Sequence, residues 1–263
     1  MSAVADLVTG ALAEEIAAPE IRVFAATSPL TVVAALAARR LGHPDLAIAG
    51  GFTRLDAAPA PALTLGEEGL MGSAPGPRGA VGDVFALLAR GDGGVAVSPA
   101  QLDSRGRTNL SGVGPPGAPT TALPGTRGLA DNNDSPARVW YLLPAHSPRT
   151  LVESVDVVSG PAPRLASPRR LITPAGLFDL GPGGWTAVWL APDGLAMVAD
   201  APALGVTVDG DVPVRESPSP AVLAALWEAD PHDVRAVEMA GRGEAGRLWA
   251  AHAGREAGAR DPG

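Results

Sequence analysis

The sequence predicts an α/β fold, a mostly parallel central sheet with helices on both faces, and three observations predict it. Residues 46–49, 95–97, 139–143 and 155–158 are short apolar runs without polar alternation, the pattern of strands buried on both faces. Stretches of helical periodicity stand between strand-like runs. The chain has 263 residues, long enough to bury a substantial core without disulfides, and it contains no cysteine to form one. In order, Val4, Leu7, Val8, Leu12 and Ile16 recur at helical spacing and make residues 3–17 an amphipathic helix. Residues 21–25 form a strand. Thr27 or Ser28 then caps a helix over 30–41, with Pro29 in its first turn and Gly42 ending it. A strand at 46–49 leads into residues 56–78, a long loop with Pro59, Pro61, Pro75 and Pro77, a length uncommon without a function. A helix over 81–90 is closed by Gly91. Past Asp200 the chain turns acidic and proline-rich, then helical over 221–227 and 233–251, and ends in a tail, AGREAGARDPG, of disordered composition. The expected organisation is an α/β domain over 1–200 and a C-terminal extension over 201–263.

Composition excludes several chemistries. All 20 basic residues are arginine and there is no cysteine, so there is no thiol nucleophile, no Schiff-base lysine, no P-loop lysine and no cysteine-bearing zinc site. No metal site is expected. A net charge of -8 and few aromatics argue against a nucleic-acid partner. Asp6, Glu14 and Glu15 are unlike the basic start of a secretory signal, and no apolar run reaches the length of a membrane span, so a cytoplasmic protein is expected.

The most informative segment is residues 125–133, GTRGLADNN, between two buried strand-like runs. Glycines there remove the Cβ, permit positive φ and can aim N–H groups at an oxyanion, or they simply make turns. Upstream stands AQLDSRGRTNLSGVG (100–114), where Gln101, Asp103, Gly106 and Asn109 organise the turn after a strand. Downstream come LVESVDVVSG (151–160) and LITPAGLFDL (171–180). Glu153 and Asp156 lie at a subunit contact or brace the loop. His146 stands at a strand end, where a lone histidine is more often structural than catalytic. Arg138, Arg149, Arg164, Arg169 and Arg170 reach ligand phosphates or are solvated or paired with acids.

In order and spacing these motifs resemble the β-subunit type of the class I coenzyme A transferase family, over roughly residues 5–200, with residues 21–50 similar to its opening strand, helix and second strand. The resemblance implies an acyl-CoA substrate, with coenzyme A as part of that substrate and no permanently bound cofactor. It also implies a partner α-type subunit in an α2β2 assembly. The family's covalent nucleophile, a glutamate, falls at Gly51 in this sequence, which has no side chain to replace it; Glu67 or Glu68 in the neighbouring loop is the alternative carboxylate. Gly125, Arg127, Gly128 and residues 152–160 are more similar to a hydrolase branch of the family that opens steroid rings. For that branch the implied reaction is hydrolytic carbon–carbon cleavage of a cyclic keto acyl-CoA, with the catalytic carboxylate supplied by the α subunit. Arg127 would then set positive charge beside a developing enolate or oxyanion. Gly125, Thr126, Gly128, Asn132 and Asn133 would form the loop that binds substrate or CoA, one of the two asparagines capping the following turn instead. A CoA transferase with its carboxylate relocated to Glu67 or Glu68 remains an alternative, and so does a noncatalytic stabilising subunit, because RGRTN and DNNDSPAR depart from the family's usual motifs.

Overall fold

The computed structural model describes residues 3–17, 21–50, 54–55, 81–164 and 167–259. Gly51, Glu67, Glu68 and the expected loop at 56–78 lie outside them. The elements are α1 (Ala3–Ile16), β1 (Val23–Ala25), α2 (Pro29–Arg40), β2 (Ala47–Gly50), β3 (Arg54–Leu55), α3 (Val81–Leu87), β4 (Gly93–Val97), β5 (Gln101–Asp103), β6 (Thr108–Asn109), β7 (Gly112–Val113), β8 (Thr121–Ala122) and α4 (Leu129–Asp134). They continue with β9 (Arg138–Leu142), β10 (Leu151–Val152), β11 (Arg169–Thr173), β12 (Gly176–Gly181), β13 (Gly184–Leu190), α5 (Gly194–Asp200), α6 (Pro220–Ala229), α7 (Arg235–Met239) and α8 (Arg242–Ala259). The chain forms two compact units, one of Met1–Pro19, Ala26–Ala80 and Ser217–Gly263, the other of Glu20–Ala25 and Val81–Glu216.

In the second unit the strands run in the order β13-β12-β11-β9-β4-β1. Pairs β1–β4, β4–β9 and β9–β11 are parallel, while β11–β12 and β12–β13 are antiparallel. Two of the parallel strands, β4 and β9, are apolar runs read from the sequence: β4 is buried along its whole length, and β9 from Val139 onward. Gly94 is required by this packing, since a Cβ there would stand 2.7 Å from the Trp140 ring. Residues 171–180, continuous in the sequence motif, are two strands. Pro174 and Ala175 form a tight turn that pairs Thr173 with Gly176, and Gly176 has φ +148 with no room for a Cβ beside the Trp189 carbonyl. Beyond β13, Ala187 N–H donates to Thr207 O (2.9 Å), Thr207 N–H to Trp185 O (2.8 Å), Leu190 N–H to Pro213 O (2.9 Å) and Arg215 N–H to Leu190 O (2.8 Å), so a following segment takes up the strand's open hydrogen-bonding groups.

The expected strand over 155–158 is not formed. Pairing occurs earlier, at β10, parallel to β5, while Asp156 and Ser159 give their N–H groups to Gln101 Oε1 and Thr108 O, and Val158 is 51% exposed. Its backbone is committed to a loop brace rather than a ladder.

In the first unit Ser28 caps α2. Its Oγ accepts from Thr31 N–H, and Thr31 Oγ1 accepts from Ser28 N–H (2.9 Å), the reciprocal capping box. Residue 200 is not the boundary between compact units. Residues 201–216 remain with the sheet unit, where Leu204 is buried, and α6, α7 and α8 belong with α1 and α2. The reason is an apolar face (Val222, Ala225, Leu226) that the C-terminal helices bury, and a buried ion cluster. Arg235 bonds Asp6 (2.7 Å), Asp230 (2.9 Å) and Asp233 (3.3 Å), tying α7 to α1. The helix expected over 233–251 is broken at Ala240, whose ψ of 149° is extended, and α8 runs on through part of the expected tail to Ala259.

Candidate active site

The turn from β5 to β6 is organised by Asp103, fully buried. Its Oδ1 accepts from the N–H groups of Arg105 (2.9 Å) and Arg107 (3.0 Å), and its Oδ2 from Arg107 Nε (2.6 Å) and Val155 N–H (3.4 Å). A carboxylate so fully bonded is a structural anchor and not a free base. The Asp103 carbonyl accepts from Trp185 Nε1 (3.1 Å), and Trp185 meets Tyr141 edge-on, so the turn rests on the aromatic core. Gly106 has φ +76, and a Cβ there would lie 2.6 Å from Leu180.

Beside it Gln101 and Asn109 form a closed set. Gln101 Oε1 accepts from Asn109 Nδ2 (2.7 Å) and Asp156 N–H (3.1 Å), and Gln101 Nε2 donates to Asp156 Oδ2 (3.1 Å). Asn109 Nδ2 also donates to Gly112 O (2.7 Å), its Oδ1 accepts from Ser111 N–H (2.9 Å), and Asp156 Oδ2 accepts from Gly114 N–H (2.8 Å). Asp156 therefore braces the loop, one of the two roles its sequence position allowed.

The glycine-rich loop lies against this frame. Gly125 has φ +97 and donates its N–H to Leu110 O (2.9 Å). Arg127 follows with φ +49, a left-handed conformation for a non-glycine residue, and is exposed. Gly128 leaves no room for a side chain, since a Cβ would stand 2.7 Å from the Phe85 ring. Leu129 N–H closes on Thr126 O (3.0 Å), Asn132 N–H on Gly128 O (2.8 Å), and α4 begins. Thr126 is exposed and Asn132 half-buried.

Asn133 departs from the substrate-binding expectation. It is fully buried, and its Nδ2 donates to Gly106 O (3.1 Å) and Pro161 O (2.9 Å), locking the loop to the Asp103 turn. Sequence reasoning missed two other supports. The Tyr141 hydroxyl donates to Gly106 O (3.3 Å), and burial raises its pKa, keeping it protonated. Arg169 is fully buried, donating to the carbonyls of Asn133, Asp134, Pro136 and Pro168 (3.2–3.3 Å), so it is no phosphate ligand. Arg164 pairs with Asp134, whose carboxyl it holds below the usual range. No local pattern marks Tyr141 and Arg169, because, Pro168 apart, their partners are backbone carbonyls distant in sequence.

His146 is 8% exposed, with Nδ1 3.0 Å from Thr173 Oγ1 and its ring against Phe178. Burial pushes its pKa down to about 4, so it is neutral near pH 7. An open pocket of about 450 Å³ adjoins the Asp103 turn, lined among others by Arg105, Pro163, Leu180, Gly183 and Gly205. Among the described residues no helix is long and apolar enough to cross a membrane.

No protein-family model matches the chain. The IpdB subunit of a cholesterol ring-cleaving hydrolase from Mycobacterium bovis is 34% identical over 175 residues, 59% of this chain and 65% of that protein, so the match spans just under two thirds of that relative. The IpdB subunit from Rhodococcus jostii is 32% identical over 253 residues, 90% of this chain and 93% of that one. Among solved structures, the decarboxylase AibA/AibB matches with a TM-score of 0.81 and 28% identity over 90% of this chain and 99% of that chain. Rhodococcus jostii RHA1 IpdAB matches with a TM-score of 0.74 and 27% identity over 91% and 99%. Glutaconate coenzyme A-transferase from Acidaminococcus fermentans has the same fold, with a TM-score of 0.74 at 17% identity over 87% and 94%. A fold shared with a CoA transferase, and 32% identity across nearly all of an IpdB subunit, establish that this chain belongs to the IpdB family of CoA-transferase-like subunits.

Proposed function

We propose that the chain is the β-type subunit of a heteromeric hydrolase that cleaves a ring carbon–carbon bond in a cyclic keto acyl-CoA, completing its site against an α-type subunit in an α2β2 assembly. The observation that carries this reading is Arg127, an exposed guanidinium held at φ +49 in a loop anchored through Asn133 and Gly125. A residue kept in a conformation that disfavours it, on a braced loop, is pre-organised for charge that appears during a reaction.

In the reaction the partner's carboxylate takes a proton from water and hydroxide adds to the ring ketone. The tetrahedral oxyanion collapses to a carboxylic acid, the ring bond breaks, and its electron pair passes into the thioester as an enolate. Protonation of the enolate carbon completes the addition of one water. Arg127 supplies positive charge beside the developing negative oxygen. Gly51, where the family nucleophile would fall, offers no atom for a glutamyl thioester. An acyl-CoA substrate would be met in the cytoplasm.

Decarboxylation is the second reading, favoured by the TM-score of 0.81 to AibA/AibB. It also breaks a carbon–carbon bond, but releases carbon dioxide and consumes no water. Incubating the chain and a co-expressed α-type subunit with a cyclic β-keto acyl-CoA, with and without an acceptor acid, separates the possibilities. A ring-opened acid formed without acceptor, with oxygen-18 from labelled water in the new carboxylate, is the expected result. Carbon dioxide release marks the decarboxylase, acceptor-dependent CoA exchange the transferase, and no turnover the noncatalytic subunit.

A further inference from the structure

Ser159, the penultimate residue of the VDVVSG segment, is 3% exposed, and neither the sequence motif nor the proposed reaction assigns it a role. Its Oγ accepts from Leu110 N–H (2.9 Å) and lies 2.7 Å from Ser111 Oγ. Its N–H donates to Thr108 O (2.8 Å), and Gly160 exchanges N–H and carbonyl with Thr108 (3.0 Å each way). The far side of the same stretch holds the glycine-rich loop. Leu110 O accepts from Gly125 N–H (2.9 Å), Ser111 O from Leu123 N–H (3.1 Å), and Ser111 Oγ is 3.5 Å from Thr126 Oγ1. One layer of chain, Leu110–Ser111, therefore separates Ser159 from the residues that precede Arg127.

From this geometry we infer that Ser159 is a positioning residue for Arg127, acting through the hydroxyl series Ser159–Ser111–Thr126 and through Leu110. Ser159 Oγ accepts from Leu110 N–H and shares a hydrogen bond with Ser111 Oγ, in which either hydroxyl can be the donor; Ser111 Oγ in turn lies 3.5 Å from the hydroxyl of Thr126, an exposed residue next to Arg127. Hydroxyls that share hydrogen bonds polarise one another, and the Leu110 peptide, bonded to Ser159 Oγ through its N–H and to Gly125 N–H through its carbonyl, links the same two ends by backbone. The buried end is fixed by backbone bonds at Thr108 and Gly160, so the exposed end, where Arg127 holds its left-handed φ, is tied to a rigid strand connection and not to solvent.

This inference rests on the role of Arg127 proposed above, and its test keeps the two apart. In the complex with the α-type subunit, Ser159→Ala and Ser111→Ala should each lower kcat on the keto acyl-CoA by about tenfold, with KM changed less than about twofold. Arg127→Ala should lower kcat by about 100-fold. The double variant Ser159→Ala/Arg127→Ala should be no slower than Arg127→Ala alone, because a residue acting only through the arginine has nothing left to position. Multiplied losses, about 1,000-fold in the double variant, would overturn the inference and leave the arginine's role intact. Should Arg127→Ala keep full activity, the catalytic reading fails and hydrogen exchange still decides the positioning. In Ser159→Ala the amides of Gly125 and Leu129 should exchange at least about fivefold faster, with β4 and β9 unchanged; unaltered exchange at both amides overturns the inference, as would a uniform rise across the sheet.

Discussion

At position 127 the usual ranking of alanine over glycine should reverse. Arg127 is exposed, so truncating its side chain removes little packing, while its φ of +49 is a conformation that costs a residue bearing a Cβ about 1–2 kcal/mol. Arg127→Ala keeps that strain and should leave stability nearly unchanged. Arg127→Gly removes the strain but enlarges the freedom of the unfolded chain by about 0.5–1 kcal/mol, so its net effect is a gain of up to about 1.5 kcal/mol over the alanine variant. At an ordinary right-handed or extended position glycine would instead be worse than alanine by about the same amount. For a chain of this size about 1 kcal/mol corresponds to roughly 2–4 °C in Tm. Calorimetry of the two variants in the same assembly reads the sign, and turnover reads the function. Arg127→Gly should be the more stable of the pair while both lose about 100-fold in kcat. A glycine variant melting below the alanine variant would refute the left-handed assignment and with it the idea that strain at Arg127 serves catalysis.

Gly160→Ala should destabilise by about 1–3 kcal/mol and depress turnover, since its Cβ would stand 2.9 Å from both Asn133 Nδ2 and Leu129 O and closer still to Thr108 Oγ1; chemical denaturation with activity alongside measures both. Arg235→Met removes the cation from three aspartates and should cost about 3–5 kcal/mol, read by calorimetry, and an unchanged Tm would deny that the cluster is buried. His146 is held neutral with its pKa lowered from 6.5 to about 4. The unfolded chain binds a proton below pH 6.5 that the folded chain refuses, so this stability is present above pH 6.5 and is lost as pH falls toward 4, by up to about 3 kcal/mol. His146→Asn should flatten that part of the stability–pH curve, and an equally steep curve in the variant would assign it to other groups.

Local chemistry was readable where the cause is local. The Ser28 cap, the helix end at Gly91, whose φ is +89, and the buried strands 95–97 and 139–143 follow from neighbours a few residues away. Legibility ended where partners are remote. Asn133 and Arg169 looked like ligand-binding polar residues because nothing near them shows that their bonds go to the carbonyls of Gly106, Pro161 and Pro136. Val155–Val158 carried a strand's apolar composition, but hydrogen bonds from Asp156 and Ser159 to residues some 50 positions earlier took its backbone elsewhere. The C-terminal helices read as an appendage because their partner, Asp6, stands 229 residues away.

The segment from Thr207 to Arg215, which bonds along β13, bears on how this subunit can meet other chains. An uncovered β13 would be a template onto which any extended chain could add, and identical subunits could polymerise through it. The chain supplies its own cover, so recruitment by strand addition is closed on that side. A partner must instead recognise side chains and loops, surfaces whose identity differs from one protein to the next, so that side of the sheet contributes to choosing a companion only through residues specific to it.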